Sequence, residues 1–141
     1  MQCYSNLILF KVFLKVLFFM GLLELFGKKP VAINSPYAIA VEFHPMRLQA
    51  RKNDFVQLEA DLQNISGEEY LTSLVIVVQK PLALDQSGLS NQRELRLGLL
   101  KPGEVKRLTI NVYGTARTES GDYLVKIYAI SHYRDYGHIL N

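Results

Sequence analysis

From Tyr37 onward, apolar and polar residues alternate in short runs, the period-two pattern of half-buried β-strands. Tyr37, Ile39, Val41 and Phe43 share one face of a first strand, which His44-Pro45 breaks as a proline does on an edge strand. Met46 to Ala50 adds a short second piece of that edge, and Arg51-Lys52-Asn53-Asp54 is a polar turn. Val56, Leu58, Ala60 and Leu62 then alternate with Gln57, Glu59, Asp61 and Gln63, which predicts a strand with one wet face. After the turn Asn64-Ile65-Ser66-Gly67 comes Tyr70 to Gln79, whose apolar run Leu74-Val75-Ile76-Val77-Val78 predicts a buried central strand.

Lys80-Pro81 closes that run, and residues 82 to 91 are expected to cross between sheets. Leu95, Leu97 and Leu99 predict the inward face of the next strand, alternating with Glu94, Arg96 and Gly98. Lys101-Pro102-Gly103-Glu104 has type II turn chemistry, because glycine supplies the positive φ at its third position. Leu108, Ile110 and Val112 form another inward face. From Gly121 to Ile130 both faces are mostly apolar, which predicts a second central strand, and the tail Ser131 to Asn141 supplies a short final one. About seven strands with turns at roughly 8 to 12 residue spacing predict an all-β, Ig-like antiparallel β-sandwich over residues 31–141.

A different pattern precedes it. Leu7 to Phe26 holds fifteen Leu, Ile, Phe and Val residues and three charges, Lys11, Lys15 and Glu24. That length matches the ~20 residues of a membrane-spanning helix. The apolar residues favour insertion by roughly 5 to 9 kcal/mol, against about 2.5 to 3.5 for each central charge. Residues 1–30 are therefore expected to be an N-terminal apolar helix, a single-pass membrane anchor through residues 7–26 that Lys28-Lys29-Pro30 ends. The competing expectation is a translation start at Met20, which makes residues 1–19 an annotation artefact and the protein cytoplasmic. The myristoylation pattern after Met20 is incomplete, with Leu25 where Ser or Thr belongs. Neither a clean basic signal-peptide start nor a lipobox accompanies the run, since Cys3 precedes it.

Charge and cysteine count narrow the function classes. The 141 residues carry a net charge of +3, and without residues 1–19 the balance is 14 basic against 13 acidic. So neutral a domain argues against nucleic-acid binding, which depends on phosphate neutralisation. The single Cys3 excludes an intramolecular disulfide, including the inter-sheet bridge of antibody domains.

Three signals carry a family resemblance. They are Leu62-Gln63-Asn64-Ile65-Ser66-Gly67 ending a strand, Leu99-Leu100-Lys101-Pro102-Gly103-Glu104 leading into an alternating strand, and Gly121-Asp122-Tyr123-Leu124-Val125 opening the penultimate one. Over residues 37–130 the chain resembles the CARDB and related archaeal or bacterial Ig-like adhesion and accessory modules. The resemblance implies binding or scaffolding, not catalysis, and carries over no functional residue. Tyr123 suits a tyrosine corner, whose hydroxyl bonds back to the backbone. The tail His132-Tyr133-Arg134-Asp135-Tyr136-Gly137-His138 departs from the family's polar final hairpin.

Candidate chemistry is sparse. No Gly-x-Ser-x-Gly elbow, phosphate-binding glycine loop, His-x3-His or Cys-x2-Cys spacing occurs. His132, Asp135 and His138 could converge as a small metal-dependent hydrolase site, though solvated tail residues explain them more simply. His44 reads as a surface turn residue, and Glu68-Glu69, Glu59 and Asp61 as solvating carboxylates. The aromatic tail Tyr128, His132, Tyr133, Arg134, Tyr136 is expected to pack against the sandwich end. Arg93, Arg96, Lys106 and Arg107 are expected on facing outer positions of neighbouring strands, among Glu94 and Glu104. Asn64-Ile65-Ser66 matches the glycosylation sequon.

The chain is thus expected to be non-enzymatic, with no cofactor and no metal. Its expected role is a membrane-tethered protein-interaction or envelope-accessory module, or alternatively a soluble assembly or regulatory subunit starting at Met20. Leu71, Val75, Val77, Leu124, Tyr128 and Ile130 form the candidate interaction patch, open to a protein partner or to self-association.

Overall fold

The structure is a computed structural model. It describes residues 8–17, 31–34, 36–132, 136–137 and 139, the first two segments by backbone alone. Its strands are β1 (Ile8–Leu17), β2 (Val31–Asn34), β3 (Tyr37–His44), β4 (Arg47–Gln49), β5 (Asp54–Asn64), β6 (Tyr70–Val78), β7 (Gln92–Leu100), β8 (Val105–Gly114) and β9 (Gly121–His132). One sheet has the order β4-β1-β9-β6-β7 and the other β2-β3-β5-β8. All pairings are antiparallel except that of β1 with β4.

The period-two faces pack as their alternation dictates. Ile39, Val41, Leu58, Leu62, Leu74, Ile76, Val125 and Ile127 are buried between the sheets, with Val56 and Val112 beside them. The run Leu74 to Val78 is an interior strand, flanked by β9 on one side and β7 on the other. Tyr37 reaches across from β3 to the other sheet. Its hydroxyl lies 2.8 Å from Thr72 Oγ1 in β6 and 2.6 Å from Ser131 Oγ in β9. All three are buried, so these bonds satisfy hydroxyls that would each cost about 1–3 kcal/mol unpaired. Burial pushes the Tyr37 phenol above its ordinary pKa and keeps it a neutral donor.

Two corners match their sequence signals. Gly103 has φ +78°, and the Glu104 amide donates to the Lys101 carbonyl at 3.0 Å, closing the turn between β7 and β8. The Tyr123 hydroxyl donates to the Glu119 carbonyl at 2.9 Å, the bond of a tyrosine corner.

Three expectations are corrected, and the N-terminal helix is not among them, since most of residues 1–30 lies outside the described residues. Residues 8–17 of that stretch are placed as β1, paired with β9 from Ile8↔Ala129 to Val16↔Gly121 and with β4 over Lys15 to Leu17. The aromatic and β-branched content of Ile8, Phe10, Val12, Phe13 and Val16 suits extended backbone. The rest of the expected helix, residues 18–26, lies outside the described residues. Residues 82 to 91 do not carry the chain to the other sheet, because β6 and β7 are neighbours. The connection only touches that sheet, where Ala83 bridges Tyr113 of β8.

In β7, Leu99 is 60% exposed while Leu100 is fully buried. A bulge is the cause: the register passes from Thr72↔Gly98 to Ser73↔Arg96, leaving Leu97 as the extra residue. Gly98 at φ +80° provides the conformation that a bulge of this kind requires. Finally, β7 and β8 belong to different sheets, so Arg93 and Arg96 do not neighbour Lys106 and Arg107 on adjacent strands.

Candidate functional site

The two outer faces differ in chemistry. On the four-stranded sheet the outward positions of β3, β5 and β8 carry charge. Glu42 stands directly opposite Glu59, and Asp61 opposite Arg107. Arg107 grips Asp61 through Nε at 2.8 Å and Nη2 at 3.0 Å, and this pairing holds its guanidinium above the ordinary pKa.

On the five-stranded sheet the outward positions of β6 and β9 are mostly apolar. Val75 faces Tyr128 across the β6–β9 ladder, Val77 faces Lys126, and Ser73 faces Ile130. Leu71, Val75, Val77, Leu124, Tyr128 and Ile130, the six residues singled out from the sequence, are all half-buried on this sheet. The bulge adds a seventh. Leu99 pairs with Leu71 and is exposed, so the register slip enlarges the patch that strict alternation would have ended. The signal for it was Gly98 inside a strand pattern. On the other flank, the register sets Leu9 of β1 across from Tyr128 and Phe13 across from Leu124.

The charges around the patch are arranged by strand. Lys126 lies on the β9 side, with Lys11 of β1 opposite it. Glu94 lies on the β7 side, opposite Val75, with only a marginal 4.0 Å contact to Arg96.

The tail folds back over one end of this sheet. The Gly98 amide donates to the Tyr136 hydroxyl at 2.8 Å. The Tyr136 ring meets His132 edge-on at 5.2 Å, the Arg96 guanidinium lies 4.9 Å from its centre, and Ile139 bridges His132. The expected packing against the sandwich end therefore holds for His132 and Tyr136; Tyr128 instead lies within β9 opposite Val75, and Tyr133 and Arg134 lie outside the described residues. Of the candidate hydrolase trio, His132 is buried with Nε2 2.7 Å from the Ser73 hydroxyl. Ser73 is fully buried, so this pair belongs to the packing of β6 against β9. Asp135 and His138 lie outside the described residues.

The sequon asparagine is a structural residue. Asn64 is buried, and its Nδ2 donates to the Glu68 carbonyl at 2.6 Å and the Leu100 carbonyl at 2.9 Å. Its Oδ1 accepts from the Ser66 amide at 2.9 Å and the Ser66 hydroxyl at 2.6 Å. A glycan takes one of the two Nδ2 hydrogens and so removes one of these carbonyl bonds, in a buried position with no room shown for a sugar, so the turn as it stands opposes the modification.

Among the described residues, one cluster has metal-ligand character. Glu42, His44 and Glu59 bring a carboxylate oxygen, an imidazole nitrogen and a second carboxylate oxygen within 4.8 Å of one another. His44 Nε2 is 3.4 Å from Glu42 Oε2 and 3.6 Å from Glu59 Oε2. From the sequence, His44 reads as a turn residue and Glu59 as a solvating carboxylate, and Glu42 is not singled out. Glu42-x-His44 on one strand face was visible, but the register that sets Glu59 beside them was not. At the sandwich end an open cleft of about 500 Å³ lies between residues 80–91 and 115–117, with Leu89 at its rim 84% exposed.

No helix among the described residues is long and apolar enough to cross a membrane. No family model, curated protein or solved structure matches the chain.

Proposed function

We propose that the chain is a non-enzymatic Ig-like sandwich acting as a protein-interaction module, and that a second copy of the chain docks on the outer face of its five-stranded sheet. The observation that carries this is the contrast between the outer faces, one set with Glu42, Glu59, Asp61 and Arg107, the other with Val75, Val77, Tyr128, Ile130 and the exposed Leu99. Contiguous apolar surface of this kind is the ordinary mark of an interaction site. The resemblance to Ig-like accessory modules points in the same direction.

Charge placement favours a second copy as the occupant. A two-fold axis laid along β6 sets the β9 side of one face over the β7 side of the other. Lys126 of each copy then meets the Glu94 region of its mate, around a centre of Val75, Val77 and Tyr128. Sedimentation velocity tests this. The wild-type chain is expected to dimerise with rising concentration, and Val75→Glu and Tyr128→Glu to weaken the dimer by about 30-fold or more while keeping the β-sheet circular dichroism spectrum. A wild-type chain that stays monomeric to ~100 µM, or variants that associate equally well, contradict it.

The membrane tether draws on the same residues as β1. The proposal uses residues 8–17 as a strand, and a chain in that arrangement cannot also thread them through a bilayer as a helix. Alkaline carbonate is accordingly expected to release the full chain from vesicles. Retention in the pellet would favour the anchor through residues 7–26.

A further inference from the structure

We infer that two adjoining clefts at one end of the sandwich bind a short acidic glycan, with a sugar ring at Phe55 and a uronate carboxylate at Lys80 and Arg117. The site lies apart from the docking face and does not depend on it.

The first cleft, about 390 Å³, sits where β5 begins and β8 ends. Phe55 and Tyr113 are cross-strand partners whose rings lie 5.7 Å apart at 43°, and Phe55 is 46% exposed. Beside this aromatic wall stand the carboxamides of Asn53 and Gln86, the Thr115 hydroxyl and the Asp54 carboxylate. A carboxamide both donates and accepts in one plane, which suits neighbouring sugar hydroxyls that do the same. The negative face of an aromatic ring attracts the weakly positive C–H bonds on one side of a pyranose. A wholly apolar ligand would instead take water from these polar groups and leave them unpaired.

The second cleft, about 500 Å³, adjoins the first, since Asn53, Ser87 and Thr115 line both. Lys80 and Arg117 line it, and no acidic residue does. Among the described residues neither cation takes part in an ion pair. The acids of the bordering loops have other partners. Asp85 accepts from the Ser87 hydroxyl and from the Ser90 amide at 2.9 Å, and Arg51 Nη2 holds Glu119 at 2.9 Å. A carboxylate matches such a pair of cations, and the guanidinium fork can take both its oxygens. With the cations in one cleft and Asp54 in the other, a single localised anionic group fits better than a chain charged at every unit, such as single-stranded nucleic acid.

The walls are fixed in advance. Leu82, Ala83 and Leu84 are buried, and Ala83 exchanges backbone hydrogen bonds with Tyr113 at 3.0 and 2.7 Å. Across the cleft, the Thr118 amide donates to the Thr115 carbonyl at 3.0 Å, and the Thr115 amide to the buried Thr118 hydroxyl at 2.9 Å. Little ordering is left for the ligand to impose. Both volumes fall within the ~300–1,000 Å³ of ordinary small-ligand sites.

Isothermal titration of the full chain with a hyaluronan tetrasaccharide, in which uronate and neutral rings alternate, tests the site. The wild type is expected to bind it with a Kd of about 1 mM or tighter. Phe55→Ala and Asn53→Ala, both at exposed positions, are each expected to weaken binding, Phe55→Ala by about tenfold or more. Lys80→Ala and Arg117→Ala weaken binding of the acidic probe but not of its carboxyl-reduced form. Val75→Glu, on the docking face, leaves it unchanged, and all five variants keep the wild-type circular dichroism spectrum. No saturable binding up to about 5 mM, equal affinity in the wild type and Phe55→Ala, or tighter binding of a thymidine tetranucleotide than of the glycan overturns the inference.

Discussion

A chain shortened to begin at Met20 is expected to unfold at markedly lower urea concentration than the full chain and to self-associate irregularly. Residues 1–19 contain β1, which pairs with β9 through nine residues and with β4 through three. In the order β4-β1-β9-β6-β7 it is the strand that joins the two, so its loss exposes an unpaired edge on each. Individual hydrogen bonds contribute only about 1 kcal/mol net, but a ladder of this length sums to several. Against the roughly 5–15 kcal/mol of an ordinary domain, that is a large share. The freed edge of β9 is twelve residues long, and its row of unpaired backbone groups is a template for pairing with another chain. Urea denaturation and light scattering of the two chains check this. A synthetic peptide of residues 7–17, added to the shortened chain, is expected to restore part of the lost stability by strand addition. Equal unfolding midpoints and equal dispersity would show that β1 is not part of the working fold.

Asn64→Ala is expected to destabilise the domain by about 2–4 kcal/mol, although the residue touches no proposed binding surface. The carboxamide makes four hydrogen bonds in a buried position, to the Glu68 and Leu100 carbonyls and to the Ser66 amide and hydroxyl. The main chain at the same point is bonded too. The Asn64 amide donates to the Glu104 carbonyl at 3.1 Å, the Gly103 amide donates to the Asn64 carbonyl at 2.7 Å, and Ile65 donates to Pro36. Three segments thus meet around Asn64 and Ile65: the β5–β6 turn, the β7–β8 turn and the start of β3. Alanine takes this partner from the Leu100 carbonyl, in a buried contact, and from the Ser66 amide, while the Glu68 carbonyl keeps the Ser66 hydroxyl. Asn64→Asp distinguishes this account from a simple loss of volume. The carboxylate keeps the shape and the Ser66 contacts, but it turns acceptors toward the two carbonyls and buries a charge. It is expected to cost at least as much as alanine, and a near-neutral Asn64→Asp in urea denaturation would contradict the account.

Much of the architecture follows from period-two alternation because each inward residue is committed by burial. Val56 to Leu62 and Leu74 to Val78 show this, and the turn at Gly103 and the corner at Tyr123 carry backbone requirements that few other residues meet. The N-terminal run shows how the same logic is lost. Ile8, Phe10, Val12, Leu14 and Val16 alternate with Leu9, Lys11, Phe13, Lys15 and Leu17, a strand pattern in which one set is wholly apolar. Lys11 and Lys15 stand four apart, a spacing that fits one face of a helix and one face of a strand alike. Length and hydropathy favour a helix, and pairing with the apolar β9 favours the strand.

The other differences come from information that no single segment holds. Leu99 is exposed because one extra residue enters β7 opposite Thr72 and Ser73, and a bulge is visible only against its partner strand. The pairing of Glu42 with Glu59 depends on the register between β3 and β5, set by burial of Ile39, Val41, Leu58 and Leu62 on the opposite faces. The apolar patch was legible, because Val75, Val77, Leu124, Tyr128 and Ile130 occupy outward phases of strands whose inward phases were already filled. Its charged flanks, Lys126 and Glu94, needed the strand order β9-β6-β7 before they could be set on opposite sides.

Cross-linking across the docking face is the sharpest test of the proposed dimer. In a Cys3→Ser background, chains carrying Lys126→Cys are mixed with chains carrying Glu94→Cys and treated with a short bismaleimide. A two-fold axis along β6 predicts a mixed 126–94 cross-link that forms faster than either like-with-like product, and faster than a control pair at Gln57 and Thr109 on the charged face. Cross-linking of the 126–94 pair no faster than the control would contradict docking through the outer face of the five-stranded sheet.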